Sequence, residues 1–173
     1  MPAFTSYSGK MSQESSYITK DGFYHVEITD AKRDDVSYPG GKIDKYSIEM
    51  LVRSDIEQPE QGKMIKGDIM KPREQYATPD DNAWGGWNAR QISKYAIGAG
   101  LDKSGKDIAN MRQLCVALIG KNIYIEVQQR PAKDGKMYAR VVDVVAMDDV
   151  PSTPLPGFAA VAEEMDDDDS LPF

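Results

Sequence analysis

Apolar residues in this chain recur first at every second position, then at helical spacing, then at every second position again, and this double change of period limits the fold more than any other feature. Tyr24, Val26 and Ile28 alternate with polar residues across 23–29, the pattern of a half-buried strand. After Pro39, Gly40 and Gly41 a second strand follows, with Tyr46, Ile48, Met50 and Val52 on one face and Lys45, Ser47, Glu49 and Arg53 on the other. Residues 62–70 predict a third strand, in which Gly67 marks a bulge or a sharp bend. Between Pro72 and Gly120 the spacing is helical. Ile92, Tyr95, Ala96 and Ala99 predict an amphipathic helix over 88–99, and Met111, Leu114 and Leu118 a second one running from Asp107 as N-cap to a stop at Gly120. Ile123, Ile125 and Val127 then open a fourth strand, 128–135 is rich in turn formers, and 136–147 supplies the fifth.

A mainly β chain of five strands with helices inserted between the third and fourth has the element order of an oligonucleotide-binding (OB-type) Greek-key barrel. An SH3-like barrel, or another small β-domain carrying a helix pair, gives the same periodicity, and a fold by itself does not fix an activity. The chain divides into a loose lead-in at 1–19, a domain at 20–150, a flexible linker at 151–165 rich in Pro, and an acidic tip at 166–173 expected to be disordered because it has too little apolar material to fold alone.

Charge is divided just as unevenly. The formal net charge of −7 is unfavourable for a polyanionic ligand, which needs cations to displace counterions. Yet residues 148–173 contain Asp148, Asp149, Glu163, Glu164 and Asp166 to Asp169 with no Lys or Arg, so the remainder is close to neutral and the acidity belongs to an appendage. One cysteine and one histidine exclude an internal disulfide and a zinc site of Cys and His ligands. Cys115 stands in the apolar run 114–119 as a buried thiol, and His25 is assigned no role. No apolar stretch is long enough to cross a membrane and the start lacks the features of a signal peptide, so a cytoplasmic protein is expected. Residues 100–106 fit the opening of a phosphate-binding loop, but Asp107 stands where Ser or Thr would hold Mg²⁺ and a helix, not a strand, precedes it. With no nucleophile–base pair and no cofactor or metal signature, a non-enzymatic protein is expected.

The chain ends in Met165, four Asp residues, Ser170, Leu171, Pro172 and Phe173. This resembles the C-terminal tip of bacterial and phage single-stranded DNA-binding proteins, where an Asp run leads into Ile-Pro-Phe. Asp166, Asp167, Asp168 and Asp169 match the acidic run, Leu171 stands for the Ile, Pro172 and Phe173 match the last pair, and Ser170 is an insertion. The resemblance implies a replication, recombination and repair factor, most similar to phage-encoded members acting in the bacterial host cytoplasm. Its partners would be single-stranded DNA and, through the tip, a polymerase, primase, helicase or nuclease; a homo-oligomer stays open. The chemistry of the ending is consistent with this, because Phe173 combines an apolar anchor with a terminal carboxylate and Pro172 lowers the entropy lost on docking.

Binding single strands without sequence preference requires cations along the backbone and aromatic faces for bases. Three clusters offer both: Lys32, Arg33, Tyr38, Lys42 and Lys45 around the first turn; Lys66, Lys71, Arg73, Tyr76, Trp84 and Trp87 around the Gly-rich turn; and Tyr124, Gln128, Arg130, Lys133, Lys136, Tyr138 and Arg140 on the last two strands and their connection. Tyr24 and Tyr46 share the register of aliphatic neighbours and are read as core. The acidic tip is expected to fold back and compete for the basic groove. A strand-annealing factor, and an adaptor or DNA mimic acting only through proteins, are the rival readings.

Overall fold

The computed structural model describes residues 17–103 and 107–152, so the linker from residue 153 onward and the whole acidic tip lie outside the described residues. Five long strands form one antiparallel sheet: β1 (Gly22–Arg33), β4 (Lys45–Val52), β5 (Met64–Met70), β6 (Asn122–Pro131) and β7 (Met137–Val144). Two short strands, β2 (Val36–Tyr38) and β3 (Gly41–Ile43), pair with each other in the connection from β1 to β4. Three helices, α1 (Pro79–Ala83), α2 (Ala89–Gly98) and α3 (Met111–Leu118), lie between β5 and β6.

The order across the sheet is β5-β4-β1-β6-β7. The first long strand therefore lies between the second and the fourth, which is the Greek-key arrangement. β1 serves two ladders because it is long and bulged. Residues 22–27 pair with β6, residues 26–33 pair with β4, and the register shifts between Ile28 and Asp30. Before β6 begins, the turn that follows α3 already pairs with β1: Gly120 N–H donates to the Ile28 carbonyl and Ile28 N–H to the Lys121 carbonyl, both at 2.8 Å.

Alternation decides what is buried. Tyr24, Val26 and Ile28 of β1, Ile48, Met50 and Val52 of β4, Ile65 and Ile69 of β5, and Ile123, Ile125 and Val127 of β6 form one core with Ile92 and Tyr95 of α2 and Leu114 and Leu118 of α3. Each such aliphatic side chain contributes roughly 1.5–3 kcal/mol by leaving water. Tyr24 belongs to this core and Tyr46 packs against it.

Three local expectations are corrected. Gly67 is in unbroken register with Ile48, without a bulge; it is glycine because a methyl group there would overlap the hydroxyl of Tyr95, reaching in from α2. α3 starts at Asn110, whose side chain accepts the Gln113 N–H, and not at Asp107. The turn at Pro39–Gly41 is the tip of an additional hairpin, since Val36 and Ile43 pair on either side of it. Tyr17 and Ile18, within the stretch read as lead-in, are part of the fold. Ile18 is buried and its N–H donates to the Met64 carbonyl at 3.0 Å, alongside a parallel bridge from Tyr17 to Met64. Among the described residues, no helix is long and apolar enough to cross a membrane.

Candidate functional site

The outward face of β1, β4 and β5 collects charge of both signs because the polar half of each alternating strand faces out. Lys66 of β5 reaches Glu49 of β4 at 3.4 Å, Lys32 of β1 reaches Asp30 at 3.6 Å and Glu49 at 4.0 Å, and Lys45 reaches Asp68 at 3.5 Å. At the foot of the β2–β3 hairpin, Arg33 Nε donates to both Asp35 oxygens at 3.0 and 3.1 Å, while Lys42 lies 3.1 Å from Asp35 and 3.7 Å from Asp44. Desolvation pushes the Asp35 carboxyl up, but hydrogen bonds from Arg33, Lys42 and the Lys45 N–H outweigh it and hold the group at about 2. Every candidate cation of the first cluster is thus already neutralised within the fold. Solvent-exposed pairs of this kind contribute only about 0–1 kcal/mol to the fold.

A second group of cations has no carboxylate within ion-pair distance among the described residues: Lys71, Arg73, Arg90, Arg130, Lys133, Lys136 and Arg140. They gather at two places connected by β5. At its start, Lys66 meets Tyr138 and Arg140 of β7 across the seam between the first and last strands of the sheet order, around a cleft of about 310 Å³ that Tyr17 also lines. No backbone ladder joins β5 to β7 there. Tyr17 and Tyr138 keep 45% and 43% of their surface exposed, so both have ring area available for stacking. Tyr138 is oriented by donating its hydroxyl to Asp134 at 2.7 Å, a bond that also raises its pKa. Lys133 and Lys136 occupy the adjoining β6–β7 turn, and Arg130 lies opposite Tyr138 in the ladder.

Beyond the other end of β5, Lys71 and Arg73 flank Pro72, which with Tyr76, Trp84, Arg90 and the carboxylates Asp80 and Asp81 lines a cleft of about 590 Å³. Tyr76 is 69% exposed and Trp84 half-buried. The cleft is shaped by α1, where Thr78 and Asp81 cap each other's backbone and Asp81 also accepts the Ala89 N–H at 2.8 Å, joining the start of α1 to the start of α2. Lys66 and Lys71 are separated by roughly 17 Å of extended strand.

Trp87 is differently placed. It is only 6% exposed, meets Tyr46 edge-on at 4.7 Å, and has the Arg33 guanidinium and the Lys71 ammonium at 5.3 and 5.6 Å from its ring. With its faces occupied it has no room for a base; it caps the core and holds two cations in position. Tyr124 stands apart from both clefts, on the outer face of β6 between Phe23 at 5.6 Å and His25 at 4.4 Å. Tyr38 is exposed on the β2–β3 hairpin. Burial, followed by the neighbouring Arg53, lowers the His25 pKa. Asp166 to Asp169, Leu171, Pro172 and Phe173 lie outside the described residues.

Sequence reading missed Tyr17, Phe23 and Arg90. Phe23 was detectable, because it alternates with buried Tyr24 and must face outward. Tyr17 was not, since it lies in a stretch without period and acquires its place only by bridging to Met64. No protein-family model matches the chain, and no curated protein matches it.

Proposed function

We propose that this protein binds single-stranded DNA without sequence preference, along a path from the Tyr17–Lys66–Tyr138–Arg140 cleft past β5 to Lys71, Arg73, Tyr76 and Trp84, and that residues 166–173 recruit other proteins to the covered strand. The observation that carries this reading is the meeting of Lys66, Tyr138 and Arg140, distant in sequence, with Tyr17 around one open cleft. A cation beside an exposed ring is the minimal unit for holding a phosphate and stacking its base, with each stacked base contributing about 1–3 kcal/mol. The Greek-key sheet supports reading the domain as an OB-type barrel, with residues 17–18 at one end of the β5–β7 seam and α2 at the other. In that architecture, strands and the connecting loops at the barrel mouth take the oligonucleotide. On this reading the chain is a phage-type replication, recombination and repair factor and performs no catalysis.

The test is a gel-shift comparison of full-length protein on a single-stranded oligonucleotide and on its duplex, with Trp emission followed during titration with poly-dT. Preferential retardation of the single strand, with salt-sensitive quenching that Trp84→Phe removes and Arg140→Ala weakens, is the expected result. Equal failure to shift either form at low salt would leave only the adaptor reading, and rapid pairing of complementary strands at saturating protein would instead favour annealing.

A further inference from the structure

α3 is amphipathic, and its outer side carries the apolar Val116 next to Arg112 and Gln113, with Ile119 at its C-cap. Val116 is 71% exposed and Ile119 45%, and together with Ile108 and Ala117 they line a groove of about 500 Å³ beside β1. Arg112 and Lys121 lie at this groove, and neither has a carboxylate within ion-pair distance among the described residues. The groove shares no lining residue with the cleft at the β5–β7 seam.

We infer that the α3 groove is the seat of the chain's own acidic segment: Leu171 and Phe173 occupy the apolar floor formed by Val116 and Ile119, and Asp166 to Asp169 face Arg112 and Lys121. Three observations converge on this occupant. Charge is complementary, because the segment has four consecutive carboxylates and no cation, and the groove offers Arg112 and Lys121 against the single carboxylate of Asp107. Chemistry is complementary as well, since an apolar floor with basic residues beside it suits a sequence in which carboxylates lead into Leu-Pro-Phe.

Reach is the third. The root of the segment is fixed near the groove: Met147 packs over Gly100, and Asp148 pairs with Lys103. Lys103 is four residues before Asp107, a residue of the groove, and four residues span at most about 14 Å. A coil of some twenty residues from Val150 has an end-to-end span of about 25 Å. The seat therefore stores the tip away from the proposed DNA path instead of within it, and the inference does not depend on DNA binding.

A nitroxide attached at Ser170→Cys in the full-length protein tests the assignment. The native Cys115 is buried and its thiol pushed up to about 11 by burial, so the label goes to the new cysteine. The expected result is selective loss of amide NMR signals at residues 111–121, with those at 64–66 and 138–140 retained, and recovery of the lost signals in Arg112→Glu and in Val116→Asp. Absence of site-specific loss overturns the inference, as does loss centred on Lys66 and Arg140. Mixing isotope-labelled, unspun chain with unlabelled nitroxide chain separates the remaining case: loss seen in this mixture assigns the groove to a second copy's segment and likewise overturns it.

Discussion

Gly67 shows how one residue joins two elements. Its lack of a side chain lets the Tyr95 hydroxyl lie directly on β5, so that α2 is seated against the strand carrying Lys66. Gly67→Ala is expected to destabilise the fold by about 1–3 kcal/mol, the usual cost of overpacking a tight core. The same substitution in a Tyr95→Phe background should lose most of that cost, because the oxygen is the atom in the way. Urea unfolding of the four proteins of this cycle checks the claim, and an equal penalty in both backgrounds would mean that the strand, not the hydroxyl, requires glycine. Gly67 was legible as unusual from the sequence, but the reason for it was not, since Tyr95 is distant in the chain.

Among the elements, the β2–β3 hairpin depends on charge more than on burial, for none of its residues is buried. Asp35 fixes it by binding Arg33, Lys42 and the Lys45 N–H at once. Its carboxyl is held at about 2, below its usual 3.8, so the stabilisation is complete above the unfolded value and disappears as pH falls through the folded one. Hairpin amides should therefore remain protected at about pH 3 and lose protection nearer pH 2, whereas Asp35→Asn should lose it throughout the range. Hydrogen exchange at residues 36–43 measures this; identical pH profiles for the two proteins would rule Asp35 out as the fastening. Helix α2 was readable almost to the residue, Asn88 serving as its cap. α3 was shifted because Asp107 and Asn110 are both good caps and only packing of Met111 into the core selects the second.

Across the whole molecule, cations of two kinds coexist and should behave differently toward DNA. Lys42 already has two carboxylates and Arg140 has none within ion-pair distance among the described residues. Removing one cation that neutralises a phosphate of a single strand lowers the slope of log affinity against log salt by about 0.7. Arg140→Ala is expected to reduce that slope by about this amount, and Lys42→Ala to leave it close to unchanged, because removing Lys42 removes a neutralised charge. Filter binding over a salt series decides the matter, and equal slopes for both variants would show that pairing within the fold does not predict which cations meet the strand.

The chain sequence by itself determined which residues alternate and therefore which face of each strand enters the core, because period and burial are local consequences of backbone geometry. It also located the charge, placing eight carboxylates and no Lys or Arg in residues 148–173 and leaving the remainder near neutral. Tertiary structure alone decided which cations are neutralised, that Trp87 is a buried cap while Trp84 lines a cleft, and that Tyr17 meets Tyr138. Those outcomes depend on strand order and on the seam between β5 and β7, and the approach of residues more than a hundred positions apart leaves no periodic trace in either segment.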